Sequence, residues 1–104
     1  MNTTSAPSRR DVQISEWKTL RKNTLRGFFT LTLPSGMVIH GCMLHTKDDG
    51  DRWIGFPRRE YELQGERKFA PIITFIDRET QDRFRDAVLA ALDHDKPWEE
   101  EARR

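Results

Sequence analysis

Met37-Val-Ile-His-Gly-Cys-Met-Leu-His-Thr-Lys-Asp-Asp-Gly-Asp-Arg-Trp-Ile-Gly-Phe-Pro-Arg-Arg59 is the stretch on which the fold turns. Two apolar runs flank an acidic turn, Lys47 to Asp51, in which Asp and Gly supply the tight backbone geometry of a β-hairpin. The second run stops at Pro57, which cannot donate to a strand ladder, and Arg58 and Arg59 follow at once. A Trp and Arg combination at the edge of a small sheet suits nucleic acid better than a small substrate.

Outward from the hairpin, Phe28-Phe-Thr-Leu-Thr-Leu33 alternates with period two, Phe29, Leu31 and Leu33 on one face and Phe28, Thr30 and Thr32 on the other. Pro34-Ser-Gly36 turns that strand into the Met37–His45 run. Asp11-Val-Gln-Ile14 adds a short strand, and the basic, polar stretch from Glu16 to Leu25 shows no clear period. Gln64-Gly65 marks a loop or an extended arm, and Phe69 to Ile76 reads as the fourth core strand, with Pro71 near its start pointing to an edge or bulge. Asp77 is placed to cap a helix, with Phe84, Ala87, Val88, Ala91 and Leu92 on its buried face and Asp82, Arg85, Asp86 and Asp93 away from it. Pro97 ends that helix and leaves a loose tail. The expected fold is α+β: a four- to five-stranded, mainly antiparallel sheet followed by one C-terminal helix packed on it. Residues 1–10 are expected as a disordered arm, 11–95 as a single domain and 96–104 as a flexible tail.

The chain has 104 residues, 36% hydrophobic and 34% charged, enough for one compact core but not for a core plus a deep cleft. An obligate dimer would help it bury more. No apolar run approaches the ~18 residues of a membrane span, and Cys42 is the single cysteine, consistent with a reducing cytoplasm. The net charge is only +1, but it is unevenly spread. Arg9, Arg10, Lys18, Arg21, Lys22, Arg26 and Lys47 face only Asp11 and Glu16 in the first half, while acids outnumber bases from Asp77 onward. A polyanion would be drawn to one part of such a molecule.

Four segments resemble the SpoVG family of small bacterial septation and sporulation regulators. Asp11-Val-Gln-Ile14 resembles that family's opening Asp-Val-Arg-Ile/Leu, and Val38-Ile-His40 its Val-Val-His strand. Trp53-Ile-Gly-Phe-Pro57 resembles its apolar run closing on Met-Pro, and Phe84-Arg-Asp-Ala-Val-Leu89 its helix ending in Ala-Val-Leu. The resemblance implies a curved sheet with a C-terminal helix, a homodimer joined through strands, regulatory binding to DNA or RNA, and no catalysis. The chain departs from the family at Arg58, where Ser is usual, and across Glu60 to Lys68, which is rewritten.

For nucleic-acid binding the candidate residues are Lys18, Arg21, Lys22 and Arg26 with Arg58, Arg59, Arg67 and Lys68, whose cations neutralise phosphates and release counterions. Trp17 and Trp53 offer planes on which unpaired bases stack. The competing reading puts Trp53 in the core under the helix and pairs the arginines with Glu60, Glu62 and Glu66. His40, Cys42 and His45 are close in sequence, but regular alternation puts only His40 and Cys42 on one face, and no further Cys or His pair completes a zinc site. Cys42 lies mid-strand among apolar residues, the setting of an inert thiol. No Gly-rich phosphate loop, carboxylate cleft or serine elbow is present. The expectation is therefore a cytoplasmic, dimeric, non-enzymatic regulator without cofactor or metal, taking DNA or RNA, preferably single-stranded. The alternative is a protein–protein adaptor that receives a partner at an exposed strand edge.

Overall fold

The computed structural model describes residues 12–102. Six strands precede two helices: β1 (Gln13–Lys22), β2 (Leu25–Thr32), β3 (Val38–Thr46), β4 (Arg52–Gly55), β5 (Arg58–Leu63), β6 (Glu66–Pro71), α1 (Arg78–Asp95) and α2 (Pro97–Ala102). The first four form one antiparallel sheet in the order β1-β2-β3-β4, and β5 and β6 pair only with each other. The class is α+β, as expected. The arm expected over Met1–Arg10 and residue Asp11 lie outside the described residues.

Period two places the core. Phe29 and Leu31 from β2, with Cys42 and Leu44 from β3, point to one face and meet Val88 and Leu92 of α1; Val12 closes the cluster. Asp77 starts α1 by accepting the Thr80 amide at 2.8 Å, as its place in the sequence predicts. Ala87, expected on the buried face, is exposed, and the half-buried Leu89 packs on the core in its stead. Lys96, in the left-handed region, returns its amide to the Leu92 carbonyl and closes α1. Pro97 does not leave a loose tail. It opens α2, which packs against β1, proline being well suited to a first helical position whose amide needs no partner.

Two segments read differently in the sequence. The basic stretch from Glu16 onward belongs to β1, whose period is hidden by bulges. Between Ser15 and Lys18, and again between Thr19 and Lys22, the register on β2 shifts, and Glu16 takes a φ of 55°. Phe69 to Ile76 is not a core strand. It contributes the end of β6, after which the chain is irregular to the helix, and Phe69, Ile72 and Ile76 are all exposed. Six residues of apolar side chains and a proline satisfy the strand pattern locally, yet the sheet edge they would join is left open by β5 turning away after Pro57.

β5 and β6 instead form a two-stranded ribbon around Gln64 and Gly65, with φ of 53° and 81°. Two central residues of positive φ give the turn whose twist matches flanking strands. The ribbon packs on no other element to any extent, and the molecule is drawn out to 54 × 34 × 25 Å. Its radius of gyration of 15.4 Å exceeds the ~13 Å of a compact domain of this length.

Candidate nucleic-acid interface

The sheet face opposite the helices carries the candidate site. Directly opposed residues in neighbouring strands share a face, so the register fixes its rows. One row runs Lys18, Phe28, Met43, Gly55; the next runs Lys22, Leu25, His45, Trp53. Cations therefore stand on the β1 edge and half-buried apolar and aromatic groups fill the middle. Trp53 is not under the helix. It lies on this open face, stacked on His45 with ring centroids 5.0 Å apart and planes 2° from parallel.

The stack is held from several sides. His45 Nδ1 lies 3.0 Å from the Thr24 hydroxyl, and Lys47 Nζ stands 5.9 Å from the Trp53 ring centre. Gly55 makes room: a Cβ there would meet Met43 Cε at 3.2 Å and His45 Nε2 at 3.3 Å. Partial burial pushes the His45 imidazole below its usual range, and the cationic Arg26 and Arg58 add to the shift. Arg26 itself lines the helix side of the sheet, beside Leu44 and Arg52. The Arg26 guanidinium donates to the Asn23 carbonyl at 2.8 Å and the Leu25 carbonyl at 3.0 Å, which holds it at the hairpin end.

The arginines divide into two sets. Arg67 pairs with Glu60 at 2.6 Å and Lys68 with Glu66 at 3.1 Å, as the competing reading expected of the group. Arg58 and Arg59 do not. Arg58 lies over Phe69 at 4.6 Å and Arg59 over Tyr61 at 5.1 Å, so each is positioned by an aromatic face and keeps its charge uncompensated. Lys18, Arg21, Lys22, Arg26 and Lys47 likewise have no carboxylate within ion-pair distance among the described residues.

Not every candidate joins the open face. Trp17 points to the helix side, stacked on Phe29 at 6.2 Å and met edge-on by Trp98 at 5.6 Å. Arg21 is on that side too, beside Trp17. His40 and Cys42, expected on one face, are on opposite faces. A bulge at Gly41, with φ of 78°, sets two residues against Thr30 and flips the alternation. His40 then reaches Thr30 and Glu16 on the open face, where the Thr30 hydroxyl donates to Glu16 at 2.6 Å, while Cys42 is buried. Burial pushes the Cys42 thiol up to about 11, so it carries no thiolate at neutral pH.

His45 as a stacking partner and Phe28 and Met43 as its surround went unnoticed in the sequence. The signal was available: Phe28, opposite in phase to the core residue Phe29, and the equal distances of His45 and Trp53 from the Lys47–Asp51 turn make them opposed partners in a hairpin. Among the described residues no cluster of His, Cys, Asp and Glu is placed to hold a metal ion, and no helix is long and apolar enough to cross a membrane. Compared with family models, curated proteins and solved structures, the chain matches none.

Proposed function

We propose that this protein binds single-stranded nucleic acid across the open face of its sheet, in a regulatory role like that of the SpoVG family and without catalysis. One observation carries the reading: the His45–Trp53 stack is flanked by cations that no carboxylate among the described residues pairs with, Lys22 and Lys18 on the β1 side and Lys47 beside the indole. A base continues such a stack through its own plane, and the surrounding cations take the phosphates. The long helix is unsuited to reading a groove. Its outer residues are already engaged with each other, Arg78 and Arg85 with Asp82 and Arg85 with Asp86.

The test is fluorescence-anisotropy titration of labelled single- and double-stranded oligonucleotides at two salt concentrations. Single strands are expected to bind in the micromolar range or tighter, and binding to weaken steeply with salt. Replacing Arg58 and Arg59 together by Ala is expected to lower the salt slope by about 1.4, at ~0.7 per phosphate contact on a single strand. Failure to bind DNA or RNA at low salt overturns the proposal.

A second reading, a protein–protein adaptor, is favoured by the ribbon. Isolated hairpins are marginal in water, yet this one exposes Tyr61 and Leu63 on one face and Phe69 on the other. Such side chains fit a partner's surface, a second copy of the chain included. If the chain is a homodimer through the ribbon, sedimentation equilibrium will report a dimer for the natural protein and a monomer after Leu63→Lys. A monomer in both cases removes this route to a dimer.

A further inference from the structure

On the helix side of the sheet, α2 follows α1 and packs against β1. A groove of about 610 Å³ opens there. Its walls are the indoles of Trp17 and Trp98 and its floor includes Leu44; Arg21, Arg26 and Arg52 stand around the rim. This volume falls within the ~300–1,000 Å³ of clefts that take small ligands, and an apolar interior with a few convergent polar groups is their common makeup.

The charges around it are not equivalent. Arg52 is spent on Asp93, which accepts from both of its terminal nitrogens at 2.7 and 2.9 Å. That bond also holds the Asp93 carboxyl below its usual range. Glu101 accepts the Thr19 backbone amide at 3.2 Å with each oxygen. The positive surplus facing the groove is Arg21, which has no carboxylate partner among the described residues, with the backbone-anchored Arg26 behind it. Flat apolar walls beside an uncompensated guanidinium select a planar ligand carrying an anion.

We propose that this groove is a second site, separate from the open face, that holds one nucleotide with its base against Trp17 and Trp98 and its phosphate on Arg21. The proposal rests on the nucleic-acid reading for the choice of a nucleotide among planar anions. The same chemistry reaches the groove either as a free mononucleotide or as the terminal nucleotide of a strand.

The indole N–H resonances of the three tryptophans, assigned by single Trp→Phe variants, report both sites in one NMR titration. Uridine monophosphate is expected to shift the Trp17 and Trp98 signals saturably and to leave Trp53 in place. Arg21→Gln, an exposed substitution, is expected to raise the half-saturation concentration at least about fivefold, since a charge-assisted bond is lost. A short 5′-phosphorylated oligouridylate that shifts all three signals assigns the groove to a strand end. One that shifts Trp53 alone, with the mononucleotide still shifting the other two, assigns it to a free nucleotide. Trp17 and Trp98 signals that respond to neither probe overturn the site, as does an equal response to inorganic phosphate or an unaltered midpoint in Arg21→Gln. In those cases a Trp53 shift with the oligonucleotide leaves the open-face reading standing, and no shift in any indole sinks both.

Discussion

Trp53→Ala is expected to weaken binding of an unpaired oligonucleotide by about five- to a hundred-and-fiftyfold, from the ~1–3 kcal/mol that base–aromatic stacking contributes. Trp53 supplies the face that continues the stack, and His45 behind it is parallel to within 2° and keeps the indole from tilting. The loss should appear as a faster off-rate with an unchanged salt slope, because no cation is removed. Trp53→Phe retains a ring and should recover a large part of the affinity. Trp53 lies outside the buried cluster, so the variant should remain folded by circular dichroism. A Trp53→Ala protein that binds as tightly as the natural one would remove stacking from the mechanism and leave phosphate contacts alone.

The second large effect concerns the core. Gly27→Val is expected to destabilise the protein by about 3 kcal/mol, the upper part of the range for overpacking, read as a lower urea midpoint. A Cβ on residue 27 would run into Trp17 Cζ2, lie 2.6 Å from its Cη2, and approach the Lys18 carbonyl oxygen to 2.9 Å. The indole cannot yield without breaking its contacts with Phe29 and Trp98. Displacing it would lift α2 from β1. Combining Gly27→Val with Trp17→Ala should cost less than the sum of the two changes, because the cavity left by one admits the methyls of the other. Strict additivity in that cycle would show that the clash is relieved elsewhere.

Local pattern carried the central sheet and the helix. Phe29, Leu31, Val88 and Leu92 appear in the sequence at the spacing that buries them, and Asp77 marks the helix start by chemistry alone. What escaped is where the backbone leaves its period. The bulge at Gly41 separates His40 from Cys42, and those in β1 conceal a ten-residue strand behind an irregular run of charges. The Phe69–Ile76 run misleads for another reason: β propensity reports fit to a half-buried surface, and here Phe75 packs on Phe56 and Phe84 from irregular chain while Phe69, Ile72 and Ile76 stay exposed. Of the candidate site, the cations and Trp53 were legible by residue type. Which of them share a face depends on cross-strand register, and which lack an ion-pair partner depends on how the Glu and aromatic residues of β5 and β6 are placed around them.

The ribbon is also a place where the chain can change at small cost. Its ladder is closed internally from Arg58 opposite Pro71 to Leu63 opposite Glu66, and no core residue belongs to it. Adding or deleting one cross-strand pair of residues on each side of the turn would alter its reach without disturbing the register of the main sheet or the fit of the helix. Natural variation in length and charge should therefore accumulate between Arg59 and Ala70, letting relatives with one common body acquire different partners.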